Sequence, residues 1–111
     1  MCQTHVGIGR EYLKSLEARD PDYEKRIRES FSCQPFMATT GASLSRVEPG
    51  WINISAPFAD HITQQHGFIH GCVVGAVADN AAGYAAYSLV NFDDSVLTAE
   101  YKLSLLAPAK G

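Results

Sequence analysis

The most apolar stretch of this 111-residue chain spans residues 71–90, GCVVGAVADNAAGYAAYSLV, interrupted at its centre by Asp79 and Asn80. As a helix it would be about 30 Å long, close to the diameter of a small domain, and so it predicts a central element. Its small residues, Gly75, Ala76, Ala78, Ala82, Gly83 and Ala86, leave little side chain between the backbone and whatever packs on it. Glycine costs a helix roughly 1 kcal/mol relative to alanine. Gly75 and Gly83, four residues to either side of Asp79, therefore predict that close approach to the acid is needed.

Before this helix the pattern changes three times. Ile8, Tyr12, Leu13 and Leu16, with charges between them, predict a short amphipathic helix over residues 8–18. Asp20 followed by Pro21 predicts an N-cap and first turn of a second helix, reaching about Ser32 with Tyr23, Ile27 and Phe31 at four-residue spacing. Its Lys25, Arg26 and Arg28 read as a solvated face rather than a phosphate site. Beyond Pro35, the Pro49-Gly50 pair between two runs rich in β-formers predicts a hairpin, with strands over 42–47 and 51–56. Ile52, Ile54 and Ala56 fall on one face of the second strand. Residues 58–67 form a polar loop carrying Asp60, His61, Gln64, Gln65 and His66. After the central helix, residues 91–94 predict a turn and 96–106 a strand with Leu97, Ala99, Tyr101, Leu103 and Leu105 on one face.

This order of helices and strands predicts an α+β chain with room for one modest core. Hydrophobic residues make up 46% and charged residues 19%, which excludes a disordered chain. A net charge of −3 without a basic cluster argues against nucleic acid as partner and for a small molecule. A membrane span over 71–90 is disfavoured, because Asp79 at its centre would cost on the order of 3 kcal/mol. The first ten residues lack a basic segment followed by an apolar one, so a cytoplasmic location is expected. Cys2, Cys33 and Cys72 are widely spaced and lack a CxxC pair, which predicts free thiols, no disulfide framework and no metal site. Cys72, at the expected helix start, is read as buried and inert.

The candidate chemistry lies in QQHGFIHG and the helix that follows. Free N–H groups near Gly71, at a helix N-terminus, suit an oxygen that gains negative charge. A carboxylate such as Asp79 can attack a carbonyl or activate water. Yet the two are eight residues apart, about 12 Å along one helix. A single chain is not expected to bring both to one carbonyl, whereas antiparallel helices across a two-fold axis would.

At these residues the sequence resembles the hotdog-fold thioesterases, in their phenylacetate-degradation (PaaI-like) acyl-CoA branch, from Phe36 onward through GASLSRVEPG, QQHGFIHG, VADNAAGYAA and LTAEYKLSLLAPAKG. In that family a Gln or Asn precedes a His-Gly pair by six residues and an acid follows the His by nine, as do Gln64, His70 and Asp79 here. The resemblance implies an antiparallel sheet wrapped around the long helix, with residues 1–35 as an N-terminal helical segment and 36–111 as the hotdog domain. It implies acyl-CoA hydrolysis to acid and thiol without a cofactor, the acyl group being aromatic or medium-chain. Asp79 is then nucleophile or general base, Gly71 the backbone oxyanion donor, Gln64 the residue orienting the attacked group or water, His70 the shaper of the turn, and Thr98 a hydroxyl toward the water. It also implies a homodimer or homotetramer with sites shared between subunits. Two departures stand out: Cys72 replaces a frequent Gly, and the family's further C-terminal strands are absent, so the isolated chain is expected to be marginal in stability. The alternative expectation is an acyl-CoA-binding or assembly protein without turnover, or an inactive fragment.

Overall fold

The computed structural model describes residues 2–6 and 10–111, with side chains from Glu11 onward. The elements in chain order are β1 (Cys2–Val6), α1 (Arg10–Leu13), α2 (Tyr23–Ser32), α3 (Pro35–Thr40), β2 (Ser43–Glu48), β3 (Trp51–Ala56), a 3-10 turn (Asp60–Ile62) and α4 (Gly71–Tyr87). The three strands form one antiparallel sheet in the order β1-β3-β2.

The hairpin and its facing are as the sequence predicts. Glu48 pairs with Trp51 across the two-residue Pro49-Gly50 turn, and Ile52, Ile54 and Ala56 are fully buried. Gly50 takes φ +72°, and a Cβ there would stand 2.5 Å from Leu16 Cδ1, so the turn requires glycine twice over. Its N–H donates to the buried Ser88 Oγ at 2.7 Å, which ties the turn to the end of α4. The residue between Leu44 and Arg46 forms a bulge in the ladder.

Helix α4 lies on this sheet and is central, as its pattern predicts, but it is 17 residues long and ends at Tyr87 rather than Val90. Val77, Ala81, Tyr84 and Ala85 meet Ile52, Ile54, Ala56, Val47 and Ile27 in one core. A smaller cluster of Ile62, Ile69 and Val73 closes its N-terminal end. Arg26 closes the other end: it pairs with buried Asp20 at 2.9 Å, lies over the Tyr87 ring, and donates to the carbonyls of Tyr87, Val90 and Asn91. The Tyr87 carbonyl is one of the acceptors a helix end leaves unpaired, so a cation there satisfies it and complements the dipole, while the bonds to Val90 and Asn91 hold the chain that follows. Lys25 and Arg28 pair with Glu29 and Glu24 on the solvent side, as expected of a solvated face, whereas Arg26, expected on the same face, is largely buried against Asp20 and the end of α4.

Several expected elements differ. The strand expected over 96–106 is irregular chain, because among the described residues no neighbouring backbone offers it a ladder. Leu97, Tyr101, Leu103, Leu105 and Leu106 are consequently exposed. The third strand of the sheet is instead β1, which sequence reasoning passed over, so the N-terminal segment contributes a strand as well as helices. The helix expected over 8–18 is reduced to Arg10–Leu13, with residues 7–9 outside the described residues. Helix α2 begins at Tyr23, not Pro21, because the Asp20 carboxylate accepts the Asp22 N–H in a local turn and also holds Arg26. Helix α3, with Pro35 in its first turn and Gly41 as its left-handed C-cap, was not anticipated. Cys72 is exposed, not buried, as is Cys33, since both sit at helix ends away from the core. Among the described residues no helix is long and apolar enough to cross a membrane.

Candidate functional site

Asp79 projects from the side of α4 that faces away from the sheet. It lies two residues beyond the core residue Val77, about 160° around the helix at 3.6 residues per turn. Its partner is neither the backbone nor Asn80, which donates instead to the Ala76 carbonyl at 3.1 Å. Thr98 Oγ1 donates to Asp79 Oδ1 at 2.6 Å, a charge-assisted bond that holds residues 95–98 over the helix. One carboxylate oxygen is thereby engaged by a donor that leaves the other open.

This pair lies in a cleft of about 440 Å³. Asp79, Asn80, Gly83 and Tyr87 of α4 form its floor, Ser30 and Gln34 one wall, and residues 95–98 the other. The Ser30–Gln34 wall is fixed by the Tyr84 hydroxyl, which accepts from Gln34 Nε2 at 2.6 Å and lies 3.0 Å from Ser30 Oγ. Ser30 and Gln34 were not among the residues singled out from the sequence. Their signal was weak, since a polar residue late in an amphipathic helix, such as Ser30, or just beyond its end, such as Gln34, reads as solvent-facing.

Gln64, His70 and Gly71 are built by a different piece of chain. Residues 64–67 form a tight turn, with Gly67 N–H donating to Gln64 O at 3.0 Å, Gln64 N–H to Phe68 O at 2.8 Å, and the Gln64 side-chain oxygen accepting from His66 N–H. His70 N–H then donates to Ile62 O at 2.9 Å, which sets the direction in which α4 starts. His70 caps that start: its Nδ1 accepts the Cys72 N–H at 3.1 Å, as an N-cap side chain does. The residue expected to shape the turn is thus the helix cap itself. Gly71 N–H has no protein acceptor among the described residues, as expected at the first helical position.

Gln64 and Gly71 line a second cleft, of about 480 Å³, together with Phe68, Val74, Leu105 and Pro108. Ile69 N–H donates to Ala109 O at 3.0 Å, and Leu105 Cδ1 lies 2.8 Å from where a Gly71 Cβ would be. The chain after Thr98 therefore runs back along α4 toward its N-terminus. Gly75 is where it comes closest midway, since a Cβ there would stand 3.2 Å from the Tyr101 hydroxyl. Close approach beside the acid thus holds for Gly75. It does not hold for Gly83, where a Cβ would meet nothing within 4 Å and the glycine leaves open floor instead. Of the five predicted site residues, the fold joins Asp79 to Thr98 and Gln64 to Gly71 but places the pairs in separate clefts, while His70 lines neither. Among the described residues no group of acids, histidines and cysteines is arranged to hold a metal ion.

A thioesterase family protein from Silicibacter pomeroyi, known from its crystal structure, is similar to this chain with a TM-score of 0.78 and 45% sequence identity, over 80% of this chain and 65% of that one. A protein of Saccharolobus solfataricus described as a "putative esterase" is 34% identical over 70 residues, which are 63% of this chain and 46% of that protein. The chain thus spans about half the length of the curated relative it matches. No family model matches the sequence. The antiparallel sheet packed on one long helix is an α+β, hotdog-like fold, and in sequence as in structure the chain is similar to a thioesterase family protein.

Proposed function

We propose that the chain is the core of an acyl-CoA thioesterase of the PaaI-like kind, hydrolysing an aromatic or medium-chain acyl-CoA to the free acid and CoA without a cofactor. The observation that carries this reading is the 2.6 Å bond from Thr98 Oγ1 to Asp79 Oδ1 on the wall of an open cleft. A carboxylate oriented through one oxygen keeps the other for the thioester carbonyl or for a water attacking it. As nucleophile, Asp79 would form a mixed anhydride as the thiolate leaves, and water would then release the acid. As general base it would take a proton from water, whose oxygen bonds directly to the carbonyl carbon before the thiolate departs.

The oxyanion in either route needs a donor, and the unengaged Gly71 N–H at the helix start is the donor this chain offers. It lies about 12 Å along α4 from Asp79, so in this reading Gly71 and Gln64 come from one subunit and Asp79 with Thr98 from its partner. Support for the thioester as substrate comes from the likeness to the thioesterase family protein. Location in the cytoplasm and a dimer or tetramer belong to the same proposal. The test is thiol release from a panel of acyl-CoAs, measured against Asp79→Ala; equal rates for the two proteins would refute it.

One observation favours a second reading, acyl-CoA binding without turnover. Leu105 of the same chain lies against Gly71, so the proposed oxyanion donor sits under an apolar side chain. Calorimetry showing acyl-CoA binding by a protein that releases no thiol would select this reading.

A further inference from the structure

The floor of the Asp79 cleft has one position without a side chain. Gly83 stands four residues beyond Asp79 on the same side of α4, and both line the cleft. Nothing in the fold requires glycine there: the residue is helical without a positive φ, and a Cβ would meet no atom within 4 Å. Glycine inside a helix is unfavourable relative to alanine, and here neither packing nor backbone conformation offsets that. What the missing Cβ leaves is room in the cleft, next to the carboxylate. The surroundings of that room are fixed. Ser30 and Gln34 are held by the Tyr84 hydroxyl, Tyr84 is buried in the core, and Tyr87 is held beneath the Arg26 guanidinium at 4.2 Å from its ring centroid. A side chain added at position 83 would therefore subtract from the cleft rather than be absorbed by movement of its floor or of the Ser30–Gln34 wall.

Resting on the thioesterase reading, we infer that Gly83 is the specificity-determining residue of the acyl site: it admits a flat, broad acyl group laid on the helix between Asp79 and Tyr87. A narrow straight chain does not need that room. Position 83 should then govern the ratio between broad and narrow substrates and not the hydrolytic step itself.

The experiment measures kcat/KM for benzoyl-CoA and butanoyl-CoA in the unmodified protein, in Gly83→Ala and Gly83→Leu, and in Ala82→Leu, which changes the exposed neighbouring position outside the cleft. Gly83→Ala improves helix propensity and is expected to fold, with a melting temperature no lower than the parent's. The expected result is a loss of about tenfold for benzoyl-CoA in Gly83→Ala and more in Gly83→Leu, with butanoyl-CoA within about twofold and Ala82→Leu unchanged for both. An unchanged benzoyl-to-butanoyl ratio in Gly83→Ala overturns the inference while leaving the thioesterase reading intact. So does an equal loss for both substrates, or an unmodified protein that accepts only butanoyl-CoA. Hydrolysis of neither ester by the unmodified protein, nor of any in the wider panel, overturns the thioesterase reading and this inference with it.

Discussion

The two clefts on α4 are built in opposite ways. The Asp79 cleft presents side chains, and its floor and Ser30–Gln34 wall rest on helices whose other faces lie in the main core, while its remaining wall, 95–98, is tied down by the Thr98–Asp79 bond. The Gln64–Gly71 cleft presents backbone groups at a turn and a helix start, and its far side is an unpaired apolar segment, 105–109, held to the turn by the backbone bond from Ile69 to Ala109. The middle of the helix carries the carboxylate without a free backbone N–H, and its N-terminus carries the free N–H without a carboxylate. The difference teaches that motif residues at the right spacing in one chain need not share one cleft. The helix that carries both groups also keeps them about 12 Å apart.

Removing the acid tests the sharper end of this contrast. Asp79→Asn keeps size and removes the basic oxygen, so thiol release is expected to fall about 100-fold or more with an unchanged circular dichroism melt. A variant that unfolds while its native fraction keeps full specific activity would show the acid to be structural. Because Asp79 and Gln64 are assigned to different subunits of one site, mixing inactive Asp79→Ala with inactive Gln64→Ala should restore activity. With random exchange, half the dimers are mixed and each carries one intact site of two, so recovery should approach about a quarter of the unmodified rate. Folded, exchanging parents that recover nothing would break the shared-site reading.

Thr98 should matter less than the acid it holds. Thr98→Val is expected to lower turnover about tenfold without loss of stability, since the residue is exposed, and Thr98→Ser to recover most of it. Equal rates for Val and Ser at this position would show that the 2.6 Å bond does not serve the reaction. Stability rather than rate separates core from strap: Ile54→Ala should cost about 2–5 kcal/mol in chemical denaturation, and Leu105→Ala, the smallest effect, no more than about 0.5 kcal/mol. A large cost at Leu105 would show that the segment over Gly71 is part of the cooperative unit.

Much of this was legible in the sequence because it depends on local pattern. The hairpin followed from Pro49-Gly50 and the alternation of Ile52, Ile54 and Ala56, and all three side chains are buried on one face. The central helix followed from an apolar run too long for a strand, and its start from His70-Gly71, where the fold places it. The errors fall where local pattern has two outcomes. Alternating Leu97, Tyr101, Leu103 and Leu105 specify a strand only if a neighbouring backbone pairs with it, and among the described residues none does. Asp20-Pro21 looks like a helix start, but Asp20 is taken by Asp22 N–H and by Arg26, six residues along the chain.

What the sequence determined by itself is therefore the set of faces: which side of β3 is apolar, that α4 is central, and that Gln64, His70, Gly71 and Asp79 stand at their particular spacings. Each depends on helical or strand periodicity within a few residues. Only the tertiary structure decided what meets those faces. It gave Asp79 to Thr98 rather than Asn80, set Leu105 on Gly71, made Ser30 and Gln34 into a wall through Tyr84, and left the space above Gly83 open. These contacts join residues 19 to 54 positions apart in the chain, a separation at which periodicity carries no information and only the packing of one element against another determines which groups touch.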